Sequence, residues 1–155
     1  MFFTDWDGSI QAGGIRRASS SNDKVWGEPN KTTTVIPYGH AAAMNVDGGV
    51  KTFSAVTDVF EGIVVRDIYA DGTPHEKIQN IGHFSHGDSV AVEFVAGQTF
   101  TRGAKAYVVC TGANAGKFTA TAAATTIDVG FIVDEISTQG NVIVVKKGYS
   151  QVAGA

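Results

Sequence analysis

Ile127-Asp128-Val129-Gly130-Phe131-Ile132-Val133-Asp134, followed after Ser137-Thr138-Gln139-Gly140 by Asn141-Val142-Ile143-Val144-Val145-Lys146-Lys147, is the stretch that decides the fold class. Successive side chains of a strand point to opposite faces, so Ile127, Val129, Phe131 and Val133 stand opposite Asp128, Gly130, Ile132 and Asp134. The intervening Ser-Thr-Gln-Gly carries turn chemistry, and the two runs read as an antiparallel hairpin.

The same pattern extends outward from this hairpin. Ser89 to Ala96 places Val90, Val92 and Phe94 on one face and Ala91, Glu93 and Val95 on the other. Thr33 to Tyr38, Val50 to Val56, Gly62 to Tyr69, Lys105 to Cys110 and Lys117 to Ala122 are further strand candidates between glycine turns. Composition points the same way: 19 valines, 11 isoleucines, 15 threonines and 9 phenylalanines, with no leucine in 155 residues. Leucine is the usual bulk of helical cores, whereas β-branched and aromatic side chains suit a pleated surface. The expected fold is all-β, an antiparallel β-sandwich or jelly-roll-like barrel with an extended N-terminal arm.

The arm is residues 1–32, where Gly13-Gly14, Arg16-Arg17, Ser19-Ser20-Ser21 and Glu28-Pro29-Asn30 break any period. Phe2, Phe3, Trp6 and Trp26 give it more apolar surface than a solvated tail gains from, so it is expected to bury against something, either its own domain or a partner subunit. Residues 33–155 form the sandwich domain. Within it Gly49 to Ala55 and Thr57 to Val65 echo Gly116 to Ala120 and Thr125 to Val133, with Gly39 echoing Gly103. Each half then closes on a glycine and an alternating strand, Val90 to Val95 and Val142 to Val145. This suggests an internal duplication of about 35–97 and 99–148, with chance similarity in a Gly-, Ala-, Val- and Thr-rich chain as the alternative. Asp67 to Gly87, rich in Gly, His, Asn and Asp, is expected to be an exposed excursion.

Chemistry is sparse. Charged residues make up 17% of the chain and the net charge is −3, which does not favour nucleic acid as a direct ligand. The single cysteine, Cys110, excludes an internal disulfide and continues an alternating run, where it is expected to be packed. No run approaches a membrane span, and the acidic start lacks the basic region of a signal peptide, so the chain is expected to be soluble and made in the cytoplasm. His83, His86 and Asp88 invite a metal site, but residues three apart in a strand face opposite ways and no further ligand has an obvious spacing, so a loop with surface histidines is preferred. Gly112 to Phe118 is one residue short of a phosphate loop and has Phe118 where a hydroxyl is required. No catalytic residue, metal or cofactor is assigned.

From Pro37-Tyr38-Gly39 through Phe60-Glu61-Gly62-Ile63-Val64-Val65-Arg66, Gly87-Asp88-Ser89-Val90-Ala91-Val92, Gly103-Ala104-Lys105-Ala106-Tyr107-Val108, Thr126 to Val133 and Val142 to Lys147, the chain resembles the structural cement, or decoration, proteins of tailed-bacteriophage capsids. The resemblance covers about residues 35–150 and rests on structural glycines and strand patterns. It implies a non-enzymatic virion protein on the outer capsid surface that clamps neighbouring copies of the major capsid protein against the pressure of packaged DNA. It also implies a homo-oligomer, dimer or trimer, at a local symmetry axis. Phe2, Phe3, Trp6 and Trp26 are then the expected aromatic anchors of the arm, and Arg16 and Arg17 its partners for capsid carboxylates. The alternative is a carbohydrate- or receptor-binding β-sandwich using Tyr69, Asp71, His75, Asn80 and His83.

Overall fold

A computed structural model describes residues 10–18, 24–66, 77–137 and 140–148. Every regular element among them is a strand: β1 (Ile15–Arg17), β2 (Val25–Pro29), β3 (Ala41–Met44), β4 (Val50–Lys51), β5 (Phe60–Val64), β6 (Ile78–Gly82), β7 (Ser89–Glu93), β8 (Lys105–Val109), β9 (Phe118–Thr119), β10 (Thr126–Ile136) and β11 (Val142–Lys147). They form a six-stranded sheet, β1-β7-β11-β10-β8-β9, and a five-stranded sheet, β2-β6-β5-β3-β4, in which all these strands pair antiparallel. The all-β sandwich expected from the alternation is the fold observed.

The hairpin read first in the sequence is β10–β11, with Phe131 opposite Lys147 and Val133 opposite Val145. Its β10 strand carries a bulge between Asp128 and Phe131 in the pairing with β8. Gly130 sits there at φ +85°, which a Cβ would strain, and its N–H is held by Asp128 Oδ1 at 2.9 Å.

Alternation along the strands of the five-stranded sheet separates two cores. Ala41, Ala43, Ile63 and Val65 face the six-stranded sheet and pack with Val90, Val92, Ala106, Val108, Phe118, Phe131, Val133, Ile143 and Val145. Ala42, Val50, Val64 and Ile81 point the other way, where Ile36 and Tyr38 cover them. The segment carrying Ile36 is not the strand expected for Thr33 to Tyr38. The buried Gln79 carboxamide takes the place of a strand partner: Oε1 accepts from Ile36 N–H at 3.0 Å and Nε2 donates to Ile36 C=O at 2.6 Å. A side chain thus satisfies backbone groups that a neighbouring strand would otherwise have to pair.

Two further expectations change. Part of the excursion expected over Asp67 to Gly87 is β6, lying between β2 and β5 with Gln79, Ile81 and Gly82 buried. Residues 10–18 and 24–32, within the segment expected as an arm, supply β1, paired with β7, and β2, paired with β6. Gly27 and Pro29 are tolerated in β2 because it is an edge strand, where one side of the backbone needs no partner.

The two sheets repeat one strand order. With β1 set aside, β7-β11-β10-β8-β9 follows the same sequence of neighbours as β2-β6-β5-β3-β4. Val25–Pro29 thus corresponds to Ser89–Glu93, Ala41–Met44 to Lys105–Val109, and Ile78–Gly82 to Val142–Lys147, and the first residues of all three pairs are separated by one constant spacing along the chain. β4 and β9, which begin at Val50 and Phe118, are slightly further apart. Each five-strand unit is drawn together by an equivalent parallel bridge, Asn30 to Val50 in one and Phe94 to Phe118 in the other.

Candidate functional site

Four exposed apolar side chains, Met44, Val46, Val56 and Val59, lie on the β3–β4 turn and the β4–β5 loop of the five-stranded sheet. Asn45-Val46-Asp47-Gly48-Gly49 turns β3 into β4, closed by Asn45 N–H to Gly49 C=O at 3.0 Å and by the Asn45 side-chain amide to Gly48 C=O. Turn chemistry leaves Val46 with no inward face, and it is 97% exposed. Met44 precedes it and donates its N–H to Val59 C=O at 2.8 Å, which brings the end of the β4–β5 loop alongside the turn. Val56 and Val59 on that loop are exposed as well.

Asp58 shapes this loop. It accepts hydrogen bonds from Ser54 N–H, Ala55 N–H, Ser54 Oγ and Lys51 Nζ, the last at 2.7 Å. Burial alone would raise its carboxyl, but these donors outweigh it and hold the group far below the usual carboxylate range. The surface that results is apolar at its tip and fixed at its base. Single exposed valines are ordinary, whereas Met44, Val46, Val56 and Val59 stand together along one turn and the neighbouring loop.

A second cluster lies on the face of the five-stranded sheet that carries Ile81. Trp26 of β2, paired with Ile81 of β6, is exposed and stacks on His83 with ring centroids 3.5 Å apart and planes 8° from parallel. Its indole N–H donates to Glu28 Oε1 at 2.7 Å, and His83 Nε2 lies 3.0 Å from Glu61 Oε1. Glu61 is the extra residue of a bulge in β5: Gly62 pairs with Ala42 and Phe60 with Ala43, so Glu61 has no partner opposite it on β3.

Between the sheets, His40 Nε2 meets Glu93 Oε2 at 2.7 Å while Lys117 Nζ approaches Glu93 Oε1 at 3.2 Å. Burial lowers the His40 pKa from its ordinary 6.5 despite the attraction of Glu93. Burial would raise Glu93, but His40 and Lys117 together bring it below 4.5. Both groups therefore bind protons more readily when unfolded, so stability rises with pH through their range. Lowering the pH from 7 is expected to reduce the urea midpoint first below about 6.5, as unfolded His40 protonates, and again below about 4.5, as unfolded Glu93 protonates. His40→Gln should flatten the first step, and an unchanged profile in that variant would assign the step elsewhere.

The residues singled out from sequence fall as follows. Phe2, Phe3 and Trp6 lie outside the described residues, as do Tyr69, Asp71 and His75. Arg16 donates Nε to Glu135 Oε2 at 3.2 Å within the chain, and Arg17 pairs in β1 with Ser89. His83 and Asp88 have different partners: Asp88 binds Lys24 and accepts from Ser85 N–H, while His83 gathers with Glu28 and Glu61. Cys110 is fully buried, and burial, with the nearby charge of Asp58, pushes its thiol up. Gly112 to Gly116 is the turn between β8 and β9, and Lys117 is held by Glu93. Sequence reading misses the apolar rim, although a valine inside Asn-Val-Asp-Gly-Gly is a legible signal, since such turns are usually polar. Glu28 and Glu61 carry no local signal, because they stand on strands far apart in the chain, β2 and β5.

Among the described residues no helix is long and apolar enough to cross a membrane. A chain in the solved structure "The capsid of Myoviridae Phage XM1" shares this fold at a TM-score of 0.72 and 20% identity, over 90% of both chains. No curated protein matches the sequence. The family model of the XM1 gp53 minor capsid protein matches residues 3–147, and the chain belongs to that family. It is a structural protein of a phage capsid.

Proposed function

We propose that this chain binds the outside of an assembled, expanded icosahedral shell and clamps neighbouring major capsid subunits, acting without catalysis as a dimer or trimer at a local symmetry axis. The observation that carries the reading is the apolar rim of Met44, Val46, Val56 and Val59, presented by a turn and a loop at the end of a sheet in a member of a minor capsid protein family. Many modest contacts repeated over a closed lattice give avidity, so no single interface has to be tight. A ligand that binds the assembled shell and not its separated subunits stabilises the shell by mass action. Phe2, Phe3 and Trp6 would serve as further aromatic anchors on the capsid, and Trp26 offers one indole face, the other being taken by His83. The shared strand order of the two sheets supports an internal duplication that supplied the two-layered body.

Val46→Asp combined with Val59→Asp tests the rim, since both positions are exposed and the substitutions leave the core intact. The variant is expected to melt within a few degrees of the parent and to bind shells at least tenfold more weakly. A chain lacking residues 2–9 should likewise keep its fold and lose affinity. Full binding by both variants would overturn this assignment of the contact surface.

A further inference from the structure

We propose that Glu28, Glu61 and His83 form a binding site for one divalent cation of the zinc class, set on the face of the five-stranded sheet that carries Ile81. Each residue comes from a different part of the chain: Glu28 from the edge strand β2, Glu61 from the bulge in β5, and His83 from the residue just past β6. One donor atom from each lies within 4.8 Å of the other two. Ligands bound at about 2.1 Å stand about 3 to 3.5 Å from one another around a zinc-like ion. The pair of Glu61 Oε1 and His83 Nε2, at 3.0 Å, already has that spacing.

Three further observations point to a cation. First, among the described residues neither Glu28 nor Glu61 is paired with a lysine or arginine, so two carboxylates converge with only an imidazole between them. Second, His83 turns Nε2 toward the carboxylates, and its stack on Trp26 holds the ring in that orientation. Third, the fold does not need these groups. When β2 is laid on its counterpart β7 in the six-stranded sheet, Trp26 is replaced by Val90 and Glu28 by Val92, both fully buried. Glu61, just before the bulge glycine Gly62, corresponds to Val129 just before Gly130. The polar set is particular to one unit of a repeated architecture.

The donor chemistry selects the class. One imidazole nitrogen with two carboxylates suits zinc, cobalt or manganese, whereas calcium takes six to eight oxygens and copper(I) prefers sulfur. Trp26 orients the set from outside, its N–H on Glu28 Oε1 leaving Oε2 free and its ring fixing the imidazole plane. A bound ion would tie β2 to β5 and to the end of β6, stapling the edge of the sheet. This inference stands on the fold and does not depend on shell binding.

The test is calorimetric titration of the full, EDTA-stripped chain with zinc sulfate, repeated with cobalt(II) chloride followed by visible absorption. One saturable site per chain is expected, with cobalt bands of a nitrogen- and oxygen-bound ion and a rise in melting temperature on zinc addition. Glu28→Gln, which leaves the His83–Glu61 pair in place, should weaken zinc binding at least tenfold, and His83→Gln should abolish it. His86→Gln should leave it unchanged. Absence of a saturable heat in the folded parent would overturn the proposal, as would zinc binding that survives both Glu28→Gln and His83→Gln.

Discussion

Phe118→Ala is expected to lower folding stability by about 3 to 5 kcal/mol, the cost of removing a fully buried aromatic ring and leaving a cavity. Phe118 occupies two roles at once. Its ring is completely buried and meets Phe131 edge-on, with centroids 6.0 Å apart and planes at 89°. Phe131 in turn meets Phe60 of the opposite sheet at 6.2 Å and 79°, so the three rings run through the interior from one layer to the other. Lys147 lies over two of these rings, 5.0 Å from the centroid of Phe131 and 5.9 Å from that of Phe60. The backbone of Phe118 also accepts the Val95 N–H at 2.9 Å and forms the parallel bridge that draws the six-stranded sheet together. Alanine keeps the bridge and removes the ring, so the loss measures the shared core alone. Urea unfolding should show a lower midpoint with an unchanged slope. A loss below about 1 kcal/mol would mean that the two sheets do not share this core.

Gly49→Ala is expected to cost about 2 to 4 kcal/mol, with Gly48→Ala costing only about 1 kcal/mol. Both glycines have positive φ, +94° at 48 and +72° at 49, so either alanine bears the left-handed backbone penalty. They differ in what surrounds them. A Cβ on Gly48 meets nothing within 4 Å, whereas one on Gly49 would stand 2.2 Å from the Pro29 carbonyl oxygen. Pro29 leads into the Asn30–Val50 bridge and the hydrogen bond from Lys31 N–H to Val50 C=O at 2.8 Å, which close the five-stranded unit. The methyl group can be accommodated only by moving that backbone away. The pair of variants separates conformational strain from crowding. Equal costs at the two positions would show that the Pro29–Asn30 segment does not seat against β4 as described.

What can be read from sequence is what local alternation encodes. The β10–β11 hairpin is legible because both strands carry apolar residues at every second position around a turn. The central part of the repeat is legible too, since Thr57 to Gly62 and Thr125 to Gly130 share a strand entry and a glycine. The closing strands are misassigned by sequence similarity: it matches Val142–Lys147 to the run after Gly87, whereas the strand order makes its counterpart Ile78–Gly82. Ile-Gln-Asn-Ile-Gly shows little alternation, and the burial of Gln79 depends on Ile36, a distant part of the chain. Val25–Pro29 is hidden by Gly27 and Pro29, which read as loop chemistry and are allowed by an edge position. The Trp26 cluster and the full apolar rim depend on pairings between separate segments, so no single window of sequence displays them.

The proposed clamp adds to an assembled shell and holds it together. It is tested most directly by co-sedimentation of the purified chain with emptied, expanded shells of its phage, followed by heating of the saturated and bare shells. Saturable, stoichiometric binding with a raised disruption temperature is the predicted result. A folded chain that binds no shell, or that saturates the shell and leaves its disruption temperature unchanged, would contradict the clamp.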